Sequence, residues 1–203
     1  PRQEIRIFDF FPPRQLEVLD GRGGIVMLHI PRDGRLGDPV NLAQMKEIDE
    51  RYPNASVIIA HVGRAYCEED VGDAFDVISE TKNLLFDFSA NTNQTVFEEL
   101  IKAVGPSRVM FGSDLPILRM RMKRVCRDGH YVNIVPKGLY GDLSGDKNMG
   151  EVSGEEADSL TFFMYEELRA FCRAAAACGL RPEEREQIFN GNARRILKKA
   201  GYA

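Results

Sequence analysis

Five short apolar runs recur along the chain at similar spacing, and helix-like segments separate them. They are "IRIFDFF" (5–11), "IVMLHIP" (25–31), "VIIAHVG" (57–63), "LLFDFS" (84–89) and "VMFGSDL" (109–115). Each is rich in β-branched or aromatic residues, and several are apolar almost throughout, the mark of strands buried on both faces. Between them, "DPVNLAQMKEIDERYP" (38–53) opens on an Asp-Pro helix start and stops before Pro53. "EEDVGDAFDVISETKN" (68–83) carries Val71, Phe75 and Ile78 at helical spacing. "NQTVFEELIKAVGP" (93–106) repeats the pattern with Val96, Phe97, Leu100 and Ile101 and ends at Gly105-Pro106. Strand alternating with helix predicts βαβ units and a parallel sheet.

The rhythm breaks after the fifth run. Residues 128–156 hold six glycines and few apolar periods, which predicts an irregular insertion after the last strand, a lid over the strand ends. Two helices, 155–179 and 181–201, close the chain. The length, 203 residues, suits a single domain spanning 1–203. A formal charge of −4 gives no electrostatic reason to expect nucleic acid or an anionic membrane as partner. No apolar stretch approaches the roughly 20 residues that cross a bilayer. Cys67, Cys126, Cys172 and Cys178 form no C-x-x-C pair, so the expectation is reduced thiols in a cytoplasmic protein. The chain opens on Pro1 without an initiator methionine, which reads as a processed, cloned or cleaved piece of something longer.

In parallel α/β folds chemistry gathers at the carboxyl ends of the strands. Three runs deliver a metal-capable side chain there: His29, His61 and Asp114. Imidazole nitrogen and carboxylate oxygen suit zinc, manganese or iron. Taken singly, each has a plainer reading, a satisfied core histidine or a helix-capping aspartate. Two of only three histidines at equivalent strand ends favour the metal reading. Arg32 and Arg64 follow the two histidine runs on loops and are candidates to grip a substrate carboxylate. Asp87 and Asn91 end the fourth run, where helix capping is the simpler account. "LRMRMKRVCR" (118–127) reads as a solvated basic helix face, at a position that also suits recruitment of an anionic substrate. "GLYGDLSGDKN" (138–148) lacks the Gly-Lys-Ser/Thr ending of a phosphate loop, and His130 sits in a segment too irregular to anchor a metal.

"IVMLHIP", "VIIAHVGR", "LLFDFSAN" and "VMFGSDLP", with "IFNGNARRIL" near the end, resemble the amidohydrolase-related (amidohydrolase 2) branch of the metal-dependent hydrolase superfamily. The resemblance implies a distorted (β/α)₈ TIM-type barrel with its site at the C-terminal face. It matches His29 to the fifth-strand metal histidine, His61 to the sixth-strand histidine, and Asp114 to the eighth-strand aspartate that binds metal and shuttles the water's proton. A divalent cofactor, zinc or alternatively manganese or iron, is implied, with hydrolysis or non-oxidative decarboxylation of a small carbonyl- or carboxylate-containing substrate. The family's His-x-His pair on the first strand is absent. The expected fold is therefore an incomplete barrel, strands four to eight, that forms a homo-oligomer or associates with a missing N-terminal segment. The rival reading is an inactive fragment or non-catalytic interaction module. A nucleotide-binding doubly wound sheet would need a Gly-rich turn where the sequence has "FFPPRQ".

Overall fold

Four of the five apolar runs form one parallel sheet: β1 (Ile25–Leu28), β2 (Ser56–Ile59), β3 (Leu85–Asp87) and β4 (Val109–Met110). The strands lie in sequence order, β1-β2-β3-β4, with Val26 beside Val57, Ile59 beside Phe86 and Asp87 beside Met110. That order, with no reversal, is the order along a barrel wall rather than that of a doubly wound sheet. The computed structural model describes residues 4–202, so Pro1 lies outside the described residues.

The first run, "IRIFDFF", is not a strand. It forms the one-turn helix α1 (Ile7–Phe10), followed by α2 (Pro13–Arg22). Arg6 and Asp9, three apart, explain this: the Asp9 carboxylate accepts from the Arg6 amide at 2.9 Å and from its guanidinium at 2.8 Å, which closes the first turn. Only Ile7 of this helix is buried.

Period-two alternation sorts the strand residues onto two faces. Leu28, Val57, Ile59, Phe86 and Val109 share a core with Met45 and Ile48 of α3 (Pro39–Arg51), with Ile78 of α5 (Ala74–Ser79), and with Phe97 and Leu100 of α6 (Gln94–Val104). A single turn, α4 (His61–Arg64), leaves β2. Asp38 caps α3 by accepting from the Val40 and Asn41 amides, and Asn93 caps α6 through the Val96 amide. The opposite sheet face, Ile58, Leu85 and Met110, is covered by Ile196 and Ala193 of the last helix. The C-terminal helices are α7 (Glu155–Ser159), α8 (Phe163–Ala177), α9 (Pro182–Glu186) and α10 (Asn192–Lys199), the last two joined through a π-turn at Gln187–Gly191. Buried Asn192 fastens α10 to β4 by donating to the Pro106 and Val109 carbonyls, each at 2.8 Å.

The segment after β4 is more ordered than its glycine content predicts. The strands β5 (Lys123–Arg127), β6 (His130–Pro136) and β7 (Met149–Val152) make a second small sheet, β5 antiparallel and β7 parallel to β6. "LRMRMKRVCR" is accordingly a 3₁₀ turn and a strand, not a helix face. Arg124 points inward, its guanidinium carbon 4.1 Å from the Tyr66 ring centre and 4.8 Å from that of Tyr131.

The expectation of reduced thiols is corrected at one pair. Cys67, after α4, and Cys126, on β5, are joined by a disulfide across 59 residues, while Cys172 and Cys178 are free. Sequence spacing conceals it because only folding brings the two Cα atoms to 5.8 Å. No described helix is long and apolar enough to cross a membrane. By loop-closure entropy a crosslink of that span stabilises by about 4 kcal/mol at most. Cys126→Ser is expected to lower the unfolding free energy by about 2–4 kcal/mol in a denaturant titration, and reductant should have little further effect on the variant.

Candidate functional site

The β2 end departs from ordinary backbone. His61, Val62, Gly63 and Arg64 have φ of 57°, 50°, 60° and 63°, one turn of left-handed helix. Only glycine adopts this region without cost, so three L-residues here carry about 1–2 kcal/mol each. A side chain at position 63 would add to that strain, and its Cβ would stand 2.6 Å from Leu36 Cδ1, so Leu36 would have to move. The turn is held by Asp87 at the end of β3, whose Oδ1 accepts from the His61 amide at 3.1 Å.

Asp87 is buried, and the same oxygen also accepts from the Ser89 amide at 2.9 Å and the Ser89 hydroxyl at 2.5 Å. With its proton committed to Asp87, Ser89 Oγ can only accept from His61. His61 Nδ1 lies 2.9 Å from Ser89 Oγ and 3.1 Å from the Ser89 carbonyl, two acceptors. The imidazole therefore carries a proton on Nδ1, which in the neutral ring places the lone pair at Nε2. Gly112, after β4, gives this pair its room: a Cβ there would meet Ser89 Cβ at 3.1 Å and the Asp87 carboxyl at 3.4 Å.

His29 follows β1, and its ring meets that of His61 edge-on with centroids 5.4 Å apart. Burial pushes the His29 imidazole below the ordinary histidine range, and the nearby His61 and Arg64 push it the same way, against Asp114 and Asp87. The shift favours the neutral imidazole. Asp114, beyond β4, is half-buried and also has a left-handed φ, 40°. The two histidines suit a metal. Among the described residues, however, no three His, Cys, Asp or Glu side chains are grouped closely enough to hold one.

The two arginines differ. Arg32 is engaged with Asp38 at 2.9 Å and Glu4 at 2.6 Å, bracing the α3 cap. Arg64 donates to the Pro31 and Arg32 carbonyls at 3.3 and 3.2 Å, which ties the β2 turn to the β1 loop beside His29. Asn91 is buried and structural, donating to the Ala65 carbonyl and accepting from the Asn93 amide. His130 lies exposed at the start of β6.

Sequence reasoning missed Ser89 and Glu167. Ser89 was visible as the second polar residue of Asp-Phe-Ser, on the same strand face as Asp87. Glu167 belongs to α8, where it interrupts the buried stripe of Phe163, Ala170 and Phe171. It is fully enclosed; Oε2 accepts from the Ala90 amide at 2.7 Å and Oε1 has no partner. Burial pushes its carboxyl up to about 9, the Ala90 bond opposing and the Asp87 and Asp114 charges adding to the rise.

The family model described as Amidohydrolase matches residues 8–199. The chain belongs to the amidohydrolase family. A solved amidohydrolase from Burkholderia multivorans with bound zinc shares 16% identity at a TM-score of 0.56, aligned over 92% of this chain and 57% of its own. The 4-oxalomesaconate hydratase of Rhodopseudomonas palustris shares 18% identity at a TM-score of 0.53, over 97% and 52%. The chain thus spans little more than half the length of these solved relatives, and at such identities the likeness establishes the α/β fold. No curated protein sequence matches.

The Glu167 shift has a sign. An acid raised from 4.5 to about 9 keeps a proton in the folded protein that the unfolded chain releases, so stability falls as pH rises through that window. Glu167→Gln keeps the acceptor for Ala90 without the charge. Unfolding curves should agree at pH 5 and diverge in favour of the variant by about 2–4 kcal/mol at pH 8.

Proposed function

We propose that this amidohydrolase-family chain supplies one side of a metal-dependent catalytic site, acting on a small carbonyl- or carboxylate-containing substrate. The observation that carries the reading is the contact of His29 and His61 at the carboxyl ends of adjacent parallel strands, with His61 Nε2 left free by the Asp87–Ser89 pair behind it. A nitrogen ligand whose other ring nitrogen is held by a backbone carbonyl is the usual second layer of a metal site.

In this reading His29 and His61 would hold a divalent cation, zinc by preference with manganese or iron as alternatives, and Asp114 would be the third donor. The bound zinc of the Burkholderia relative supports that choice. Such a cation supplies a water of near-neutral pKa and polarises a carbonyl. Asp114 accepts the proton of the attacking water and returns it to the leaving group. Arg64 orients a substrate carboxylate; Arg32 does so only by giving up Asp38 and Glu4. For a carboxy-lyase the same arginine fixes the departing carboxylate. The hydratase among the relatives is consistent with water chemistry on a carboxylate-rich substrate.

The remaining ligands belong, on this account, to the part of an incomplete barrel that lies before β1, reached by association with an N-terminal segment or a second copy. Met27, on edge strand β1, is 57% exposed, as an inward residue awaiting neighbours would be. A second reading, a non-catalytic interaction module, is favoured by the lack of a three-donor cluster among the described residues.

Competition against a chromophoric chelator separates the two. Stoichiometric zinc binding by the chain is expected, weakened at least about 100-fold by His29→Ala or His61→Ala and about tenfold by Ser89→Ala. Zinc affinity unchanged by both histidine substitutions would sink the catalytic reading.

A further inference from the structure

Beside Ala90 a cleft of about 240 Å³ opens between the first turn of α6, β5 and α8. Its wall carries Lys123, Arg124, Arg169 and Arg173 against one acid, Glu166. That local excess of positive charge stands out in a chain whose formal charge is −4. None of the histidines or aspartates of the candidate metal site lines it.

Arg124 is the informative member. Its guanidinium donates to the Ala90 carbonyl and to Asn133 Oδ1, and it lies among the rings of Tyr66, Tyr131 and Phe163. Among the described residues no carboxylate pairs with it. Burial lowers its pKa, with only the two tyrosines resisting. A cation taken out of water without an anion is a standing cost. Lys123 has an exposed partner, Glu156, of the kind that exchanges easily, and the exposed Arg169 pairs with the half-buried Glu166; Arg173 has none among the described residues. Gln94, the first residue of α6, adds the positive end of an 11-residue helix.

We propose that this cleft binds a small soluble phosphate monoester, its dianion gripped by Arg169, Arg173 and Lys123 with Arg124 behind. Three separately anchored cations and a helix end suit a multi-oxygen dianion better than a single carboxylate, and the cavity leaves room for an organic group beyond the phosphate.

The test is an NMR titration of the 203-residue chain at constant ionic strength with glycerol 3-phosphate, inorganic phosphate, malonate and chloride. Saturable shifts of the Gln94 and Lys123 amides are expected with both phosphate probes, glycerol 3-phosphate binding at least as tightly as inorganic phosphate. In Arg169→Ala/Arg173→Ala, both exposed positions, the apparent Kd should rise at least about tenfold, while shifts at His29 and His61 stay unchanged. Arg173→Gln alone should give a smaller rise. Three results overturn the proposal: shifts no different from those of chloride, an unchanged Kd in the double variant, or malonate binding as tightly as phosphate. A zinc titration that fails while phosphate binds would refute the metal reading and leave this one standing.

Discussion

The Asp87 carboxylate is the point on which the rest of the site depends. One oxygen gathers three donors: the His61 amide, which fixes a left-handed turn of otherwise unfavourable backbone; the Ser89 amide, which bends the chain out of β3; and the Ser89 hydroxyl, which leaves that oxygen only an acceptor for His61. Strain in the turn, tautomer of the imidazole and direction of its lone pair therefore have one cause. That oxygen needs no solvent because its three donors stand in for water. The close approach of Gly112 shows how little space is left around it.

A second layer supports the first. The Ala90 peptide, left-handed at φ 49°, is held from both ends, its amide by Glu167 and its carbonyl by Arg124. Glu167 arrives on α8, whose Phe171 stacks on Phe88 at 4.4 Å, and Arg124 arrives on the inserted sheet, which the Cys67–Cys126 bond fastens to the β2 loop. The insertion is thus a brace for the strand ends as much as a cover. The glycine-rich segment is held by a cluster in which Arg35 and Arg124 each face the rings of both Tyr66 and Tyr131, which ties two loops to the inserted sheet.

The strands at 25–28, 56–59, 85–87 and 109–110 were legible because residues buried on both faces leave an unbroken apolar signature. The helices at 39–51 and 94–104 were legible from their caps and stripes. "IRIFDFF" misled because seven apolar and charged residues do not separate strand from turn, and a local Arg6–Asp9 pair decided it. The proximity of His29 and His61 followed from adjacent parallel strands, an inference from topology alone. What sequence could not express were relations across long separations: the disulfide, the acid of α8 reaching Ala90, and the inward turn of Arg124 in a run that reads as solvated. Each is a polar or covalent link made only after the apolar elements have docked.

The chain belongs to the amidohydrolase family, and the chemistry proposed at its strand ends needs His61 to present a bare Nε2. The most direct measurement is a long-range proton–nitrogen correlation spectrum of the histidine side chains near neutral pH. The account predicts that the neutral His61 ring is the tautomer protonated on Nδ1, and that Ser89→Ala or Asp87→Asn redistributes the proton. A His61 ring protonated on Nε2 in the native protein would contradict it.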